Sequence, residues 1–141
     1  MKKLIAFISF LSFCFLSVQA QDYKANAAKL NKQAEAAYNR VLTNTNRDSL
    51  TVYRSVVDGI TYSLKCEEYD RMPNRKGKVK TEFGEQNMLR VTTLYPMLID
   101  AGQFLLKNSY TKVEGLKALE LYLTARNNPM VIDIPDESGI A

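Results

Sequence analysis

Between residues 30 and 123, apolar side chains return every three or four positions, and this spacing restricts the chain more than any other feature. Leu30, Ala34, Ala37, Tyr38 and Val41 fall on one face of a helix, with Lys29, Lys32, Glu35 and Asn39 largely off it. Val52, Tyr53, Val56, Val57, Ile60 and Leu64 make a second stripe. Met88, Val91, Leu94 and Tyr95 make a third, and Met97, Leu98, Ala101, Phe104 and Leu105 a fourth. Leu116, Leu119, Tyr122 and Leu123 close the series. The pattern predicts an all-α chain of four or five helices, and short connections make antiparallel helical hairpins its natural architecture.

The breaks fall where backbone chemistry puts them. Residues 43–47 form a polar turn, and Asp48 stands where its carboxylate would cap the next helix. That helix should run from about Ser49 to Glu68, with Gly59 allowing a close crossing. Met72-Pro73-Asn74 stops it, because a residue before proline avoids the helical region, and Gly77 adds a second break. The third helix begins near Phe83. Pro96 either kinks it or opens a new helix, where a missing N–H costs little. After the turn Asn108-Ser109-Tyr110, Thr111 and Glu114 have capping-box spacing. The last helix ends before Asn127-Asn128-Pro129. Residues 1–20 read as a signal peptide, 21–70 as an N-terminal helical hairpin and 71–82 as a basic interhelix loop. Residues 83–129 read as a second helical hairpin, and 130–141 as a tail or the start of a further repeat.

The signal reading rests on Lys2 and Lys3, an apolar run over 4–16, and Val18-Gln19-Ala20 as a small-residue cleavage site before Gln21. The run is short for a membrane span, so no membrane span is expected after cleavage. Phe13 before Cys14 is a poor lipid-modification site, where a small residue is needed. An exported protein, in the periplasm or cell envelope or on the surface, follows as the expectation. Cleavage also removes two of the charges behind a net +4, leaving a nearly balanced chain with no global nucleic-acid signal. Cys66 would then be the only cysteine; one thiol makes no internal disulfide, and burial suits it. The chain has no histidine, which rules out histidine bases, histidine metal ligands and Ser-His triads.

Ala101, Tyr110, Ala118, Tyr122, Ala125 and Pro129 stand where a tetratricopeptide repeat places its packing residues, and the segment from Leu98 to Pro129 resembles one such repeat. The stretch between Tyr110 and Ala118 is longer than in that family, and Asn108-Ser109 stands in place of Gly-Asp. With its leader ending Ala20-Gln21 and the loop YDRMPNRKGKVKTEF, the chain resembles exported helical repeat proteins of the Bacteroides group. The resemblance implies a tetratricopeptide-like solenoid fragment or cap. Such a chain completes its core with another protein, with further repeats of a longer chain, or as a homo-oligomer; a stable lone monomer is the alternative.

No residue stands out as catalytic, cofactor-binding or metal-ligating. Arg71, Arg75, Lys76, Lys78 and Lys80 make a basic loop, but without the glycine spacing and Lys-Ser/Thr ending that cradle phosphate. Glu67, Glu68 and Asp70 lie at a helix end, where carboxylates usually face water. They should also raise the pKa of the Cys66 thiol, which argues against a catalytic cysteine. Tyr38, Tyr53, Tyr62, Tyr69, Tyr95, Tyr110 and Tyr122 read first as packing residues and second as a groove lining. The expectation is a non-enzymatic protein-binding or scaffold module, without cofactor or nucleic acid. The alternative is a structural cap or assembly subunit of a cell-envelope complex.

Overall fold

The computed structural model describes the backbone of residues 2–44, 48–137 and 139, and side chains from residue 22 onward. Five α-helices lie in the described residues: α1 (Lys2–Thr43), α2 (Ser49–Asp70), α3 (Gly84–Leu94), α4 (Met97–Leu106) and α5 (Lys112–Ala125). The backbone of α1 runs through most of the segment read as a signal peptide, whose side chains lie outside the described residues. Residues 45–47 of the first turn, and Ser138, Ile140 and Ala141, also lie outside them. Among the described residues no helix is long and apolar enough to cross a membrane.

α1 and α2 form an antiparallel hairpin. Tyr23 sits beside Tyr69 with ring centroids 6.2 Å apart, the Cys66 thiol donates to the Ala27 carbonyl at 3.3 Å, and Arg40 Nε donates to Ser55 Oγ at 3.2 Å. Small residues let the two helices approach: Ala27, Ala34 and Ala37 are fully buried, and a Cβ added to Gly59 would lie 3.7 Å from that of Ala37. The close crossing expected at Gly59 is present.

α3 and α4 run back along α2 as one path with a break. Asn87 meets Glu67, Leu94 lies against Gly59, and the Phe104 ring stands 4.9 Å from that of Tyr53. The break is Tyr95-Pro96, and Pro96, at φ −60°, precedes the first residue of α4. Of the two roles open to Pro96, the structure has the new helix. α5 then packs antiparallel on α4, with Gly102 against Leu119 and Gly115 against Leu106.

The core gathers Val56 and Ile60 of α2, Val91 and Leu94 of α3, Leu98 of α4 and Tyr122 of α5. The Tyr95 and Tyr122 rings stack with centroids 4.6 Å apart, and the Tyr95 hydroxyl donates to the Tyr122 carbonyl at 2.8 Å. Residues after α5 turn back onto this core. Met130 and Val131 are buried, Arg126 donates to the Ile134 carbonyl at 2.6 Å, and the Glu137 N–H donates to the Tyr122 hydroxyl at 2.8 Å.

Several local expectations fail. Asp48 precedes α2 but makes no capping bond; its carboxylate accepts the Thr51 hydroxyl instead. The capping box at Thr111 and Glu114 does not form either. The Thr111 hydroxyl donates back to the Leu105 carbonyl at 2.6 Å, tying the turn to α4, and Glu114 is drawn to Arg54 of α2. Of the repeat-like positions, Ala101, Ala118, Tyr122 and Ala125 are buried. Tyr110 is 93% exposed and Pro129 is exposed, so neither packs. What the structure bears out is an all-α domain whose helices pack mainly on their neighbours in hairpin fashion.

Candidate functional site

The basic loop, residues 71–82, is built around Asn74. The Asn74 side-chain carbonyl accepts the N–H groups of Lys76 at 2.9 Å and Lys78 at 3.1 Å, and backbone bonds join Asn74 to Gly77 and Lys78. Gly77 takes φ +72°, a region glycine occupies without a steric cost. The N–H groups of Lys76 and Lys78 therefore point inward to Asn74 and are not offered to an anion. The loop's cationic side chains stay at the surface.

The foot of the loop is polar and buried, against expectation. Asp70 is fully buried and accepts the N–H groups of Glu82 at 2.7 Å and Phe83 at 2.8 Å, and Lys24 Nζ at 2.9 Å. Burial alone would raise its pKa, but these donors outweigh burial and hold it below the ordinary aspartate value. Lys24 also donates to the Lys80 carbonyl at 2.6 Å. Glu67 is buried too, accepting Asn87 Nδ2 at 3.0 Å and Arg71 Nε at 2.6 Å. Arg90 completes the seam, donating to Asn31 Oδ1 at 2.8 Å, with its pKa lowered by burial. Two of the three helix-end carboxylates, Glu67 and Asp70, thus do not face water; they close the loop and join α1, α2 and α3. Glu68 alone of the three is exposed.

Cys66 lies under this seam. Burial first, then the Asp70 and Glu67 charges, push its thiol pKa up, against the Asn87 hydrogen bond and Arg90. The protonated, buried thiol behaves as a small hydrophobe. Among the described residues no three His, Cys, Asp or Glu side chains gather as a metal ion requires.

Two surfaces among the described residues combine exposed apolar and charged side chains. The first is a groove beside the loop. One part, about 620 Å³, has Met88, Leu89 and Thr92 of α3 and Met130 of the tail along it, with Arg71, Thr81 and Gly84 at the loop's two ends. A second part, about 560 Å³, shares Glu67, Arg71 and Met130 and adds Leu64, Lys65 and Pro129. Leu89 is 58% exposed and Met88 43%. The second surface is the outer face of α5. Its inner face buries Gly115, Ala118, Tyr122 and Ala125, while Val113, Leu116 and Leu123 lie more than half exposed on the opposite side. Glu120 sits among them, and Lys117 stands one turn earlier.

By helical spacing Leu116 and Leu123 fall in one stripe with Leu119 and Tyr122. The structure separates them: Tyr122 is in the core and the two leucines are outside. The discriminating signal was present in the small residues Gly115, Ala118 and Ala125, which mark the face that meets α4. Most tyrosines pack as expected, in the pairs Tyr95–Tyr122, Tyr53–Phe104 and Tyr23–Tyr69. Burial, then the neighbouring Tyr122, pushes the Tyr95 hydroxyl up to about 12. Comparison with protein-family models, with curated proteins and with solved structures finds no match to this chain.

Proposed function

We propose that this chain is a protein-binding module, tetratricopeptide-like in its packing of helical hairpins, that acts without chemistry of its own. The observation that carries the reading is the groove walled by the two ends of the basic loop, with exposed Met88 and Leu89 beside it. Methionine adapts its shape to an apolar ligand, and surface clefts of this kind suit an aliphatic side chain. The loop between those two ends carries exposed Lys76, Lys78 and Lys80. An acidic polypeptide segment bearing aliphatic side chains complements both features. The leader-like residues 1–20 support export to the periplasm or cell envelope as the setting.

Selection of a random displayed-peptide library on the full chain tests the reading. Enriched peptides should combine aliphatic with acidic residues and lose at least tenfold in affinity for Met88→Glu, a surface substitution. Failure to enrich any sequence, or enrichment that ignores Met88→Glu, would sink the proposal.

A second reading, an assembly subunit, is favoured by the exposed apolar face of α5. An unpaired apolar face on an outer helix is how stacked helical proteins meet their neighbours.

A further inference from the structure

The outer face of α5 has a pattern that matches itself when reversed. Val113, Leu116 and Leu123 are its exposed apolar residues, and Glu120 is the acid among them. Residues 113 and 123 lie equally far from the level of Ala118, and so do residues 116 and 120. An antiparallel copy of α5, related by a two-fold axis at that level, therefore sets Val113 against the partner's Leu123. It sets Leu116 against the methylene stem of the partner's Glu120 and brings that carboxylate beside Lys117. Lys112, at the first residue of α5, comes to the C-terminal end of the opposing helix, where a cation is favoured and the two helix dipoles run opposed. An unshifted parallel copy would instead set Lys117 against Lys117 and Glu120 against Glu120. We propose that the outer face of α5 is a self-association surface on which a second copy of this chain docks antiparallel, with Lys117 of each copy against Glu120 of the other.

A two-fold contact of this kind is isologous and closes at a dimer. The reading deepens the assembly proposal and is independent of the groove at Met88, since the two surfaces share no residue. All residues named for the contact are exposed in one copy, so replacing them removes no buried side chain; Lys117 also stands near the Glu114 that Arg54 holds, so each variant's helicity and melting are compared with the wild type.

Sedimentation equilibrium of the full chain over a concentration series is the test. The expected result is a monomer–dimer equilibrium, weakened at least tenfold by Leu116→Glu. Glu120→Lys alone and Lys117→Glu alone should each weaken it, because like charges then face each other. Mixing those two variants should restore a dimer that contains one of each, because every facing pair is again opposite in sign. A monomer at all concentrations, or association indifferent to Leu116→Glu, overturns the proposal. Failure of the mixed variants to pair overturns the antiparallel register. None of these outcomes bears on peptide binding at Met88, and loss of both would leave neither surface with a role in binding.

Discussion

Asp70 shows how far a residue's role depends on what surrounds it. In the sequence it is one of three carboxylates at a helix end. In the structure it is fully buried and holds Lys24 and two backbone N–H groups of the loop. Hydrogen bonds to a charged acceptor contribute more than neutral ones, so Asp70→Asn should cost about 2 kcal/mol at neutral pH. The pH dependence has a definite sign. Because the folded pKa is depressed, the carboxylate's contribution is fully present above the ordinary aspartate value. It is lost as pH falls through the lower, folded value. Thermal unfolding from pH 7 to 2 should therefore show the wild type and Asp70→Asn converging in acid; a constant gap would contradict this assignment. Cys66 differs: a small hydrophobe beside a helix stripe is buried by the same forces as its apolar neighbours, whereas burial of Asp70 needed Lys24 of α1 and the backbone N–H groups of Glu82 and Phe83 at the far end of the loop.

Helix crossings carry the next level of specificity, and the glycines distinguish two kinds. At Gly115 an added Cβ would lie 2.7 Å from the Leu106 nitrogen and 2.8 Å from the Gly102 oxygen, both backbone atoms of α4. Backbone cannot rotate away, so α4 and α5 must separate, and Gly115→Ala should cost about 2 kcal/mol or more. At Gly59 the obstacle is the tip of the Leu94 side chain at 2.6 Å, which can change rotamer. Alanine also gains about 1 kcal/mol of helix propensity over glycine, so Gly59→Ala should lie within about 1 kcal/mol of the wild type. Denaturant unfolding of the two variants checks the contrast; equal costs would refute it. The existence of these helices was legible from period and breakers. Their caps were not. Thr111 and Glu114 have capping-box spacing, yet the structure gives the hydroxyl to the Leu105 carbonyl and the carboxylate to Arg54, with Nε and Nη2 bonds of 2.6 and 2.7 Å. Both partners lie on other elements, so local spacing could not weigh them.

At the scale of the whole molecule, α2 organises the fold, with α1 on one side and the broken path α3–α4 running back along it. The beginning of the chain takes part through Tyr23, Lys24 and Ala27, just beyond the expected cleavage point. A chain starting at Gln21 keeps those contacts; one starting at Ala28 loses the Tyr23–Tyr69 rings, the Lys24–Asp70 pair and the buried Ala27. The shorter chain should melt about 10 °C lower than the one from Gln21, on the usual relation between stability and midpoint for a small domain. Equal midpoints in calorimetry would show that the seam contributes nothing. Apolar period, proline and glycine by themselves determined that the chain is helical, roughly where each helix stops, and that the stretch from 71 to 82 is an exposed loop. These are properties of residues within one or two turns of each other, which sequence records directly. Only the tertiary structure decided that Asp70 and Glu67 turn inward, that Met130 and Val131 return to the core, and that Leu116 and Leu123 stay outside while Tyr122 goes in. Each of these depends on which distant element arrives at a given face. That is settled by competition among donors and apolar surfaces across the whole chain, not by the spacing of neighbours along it.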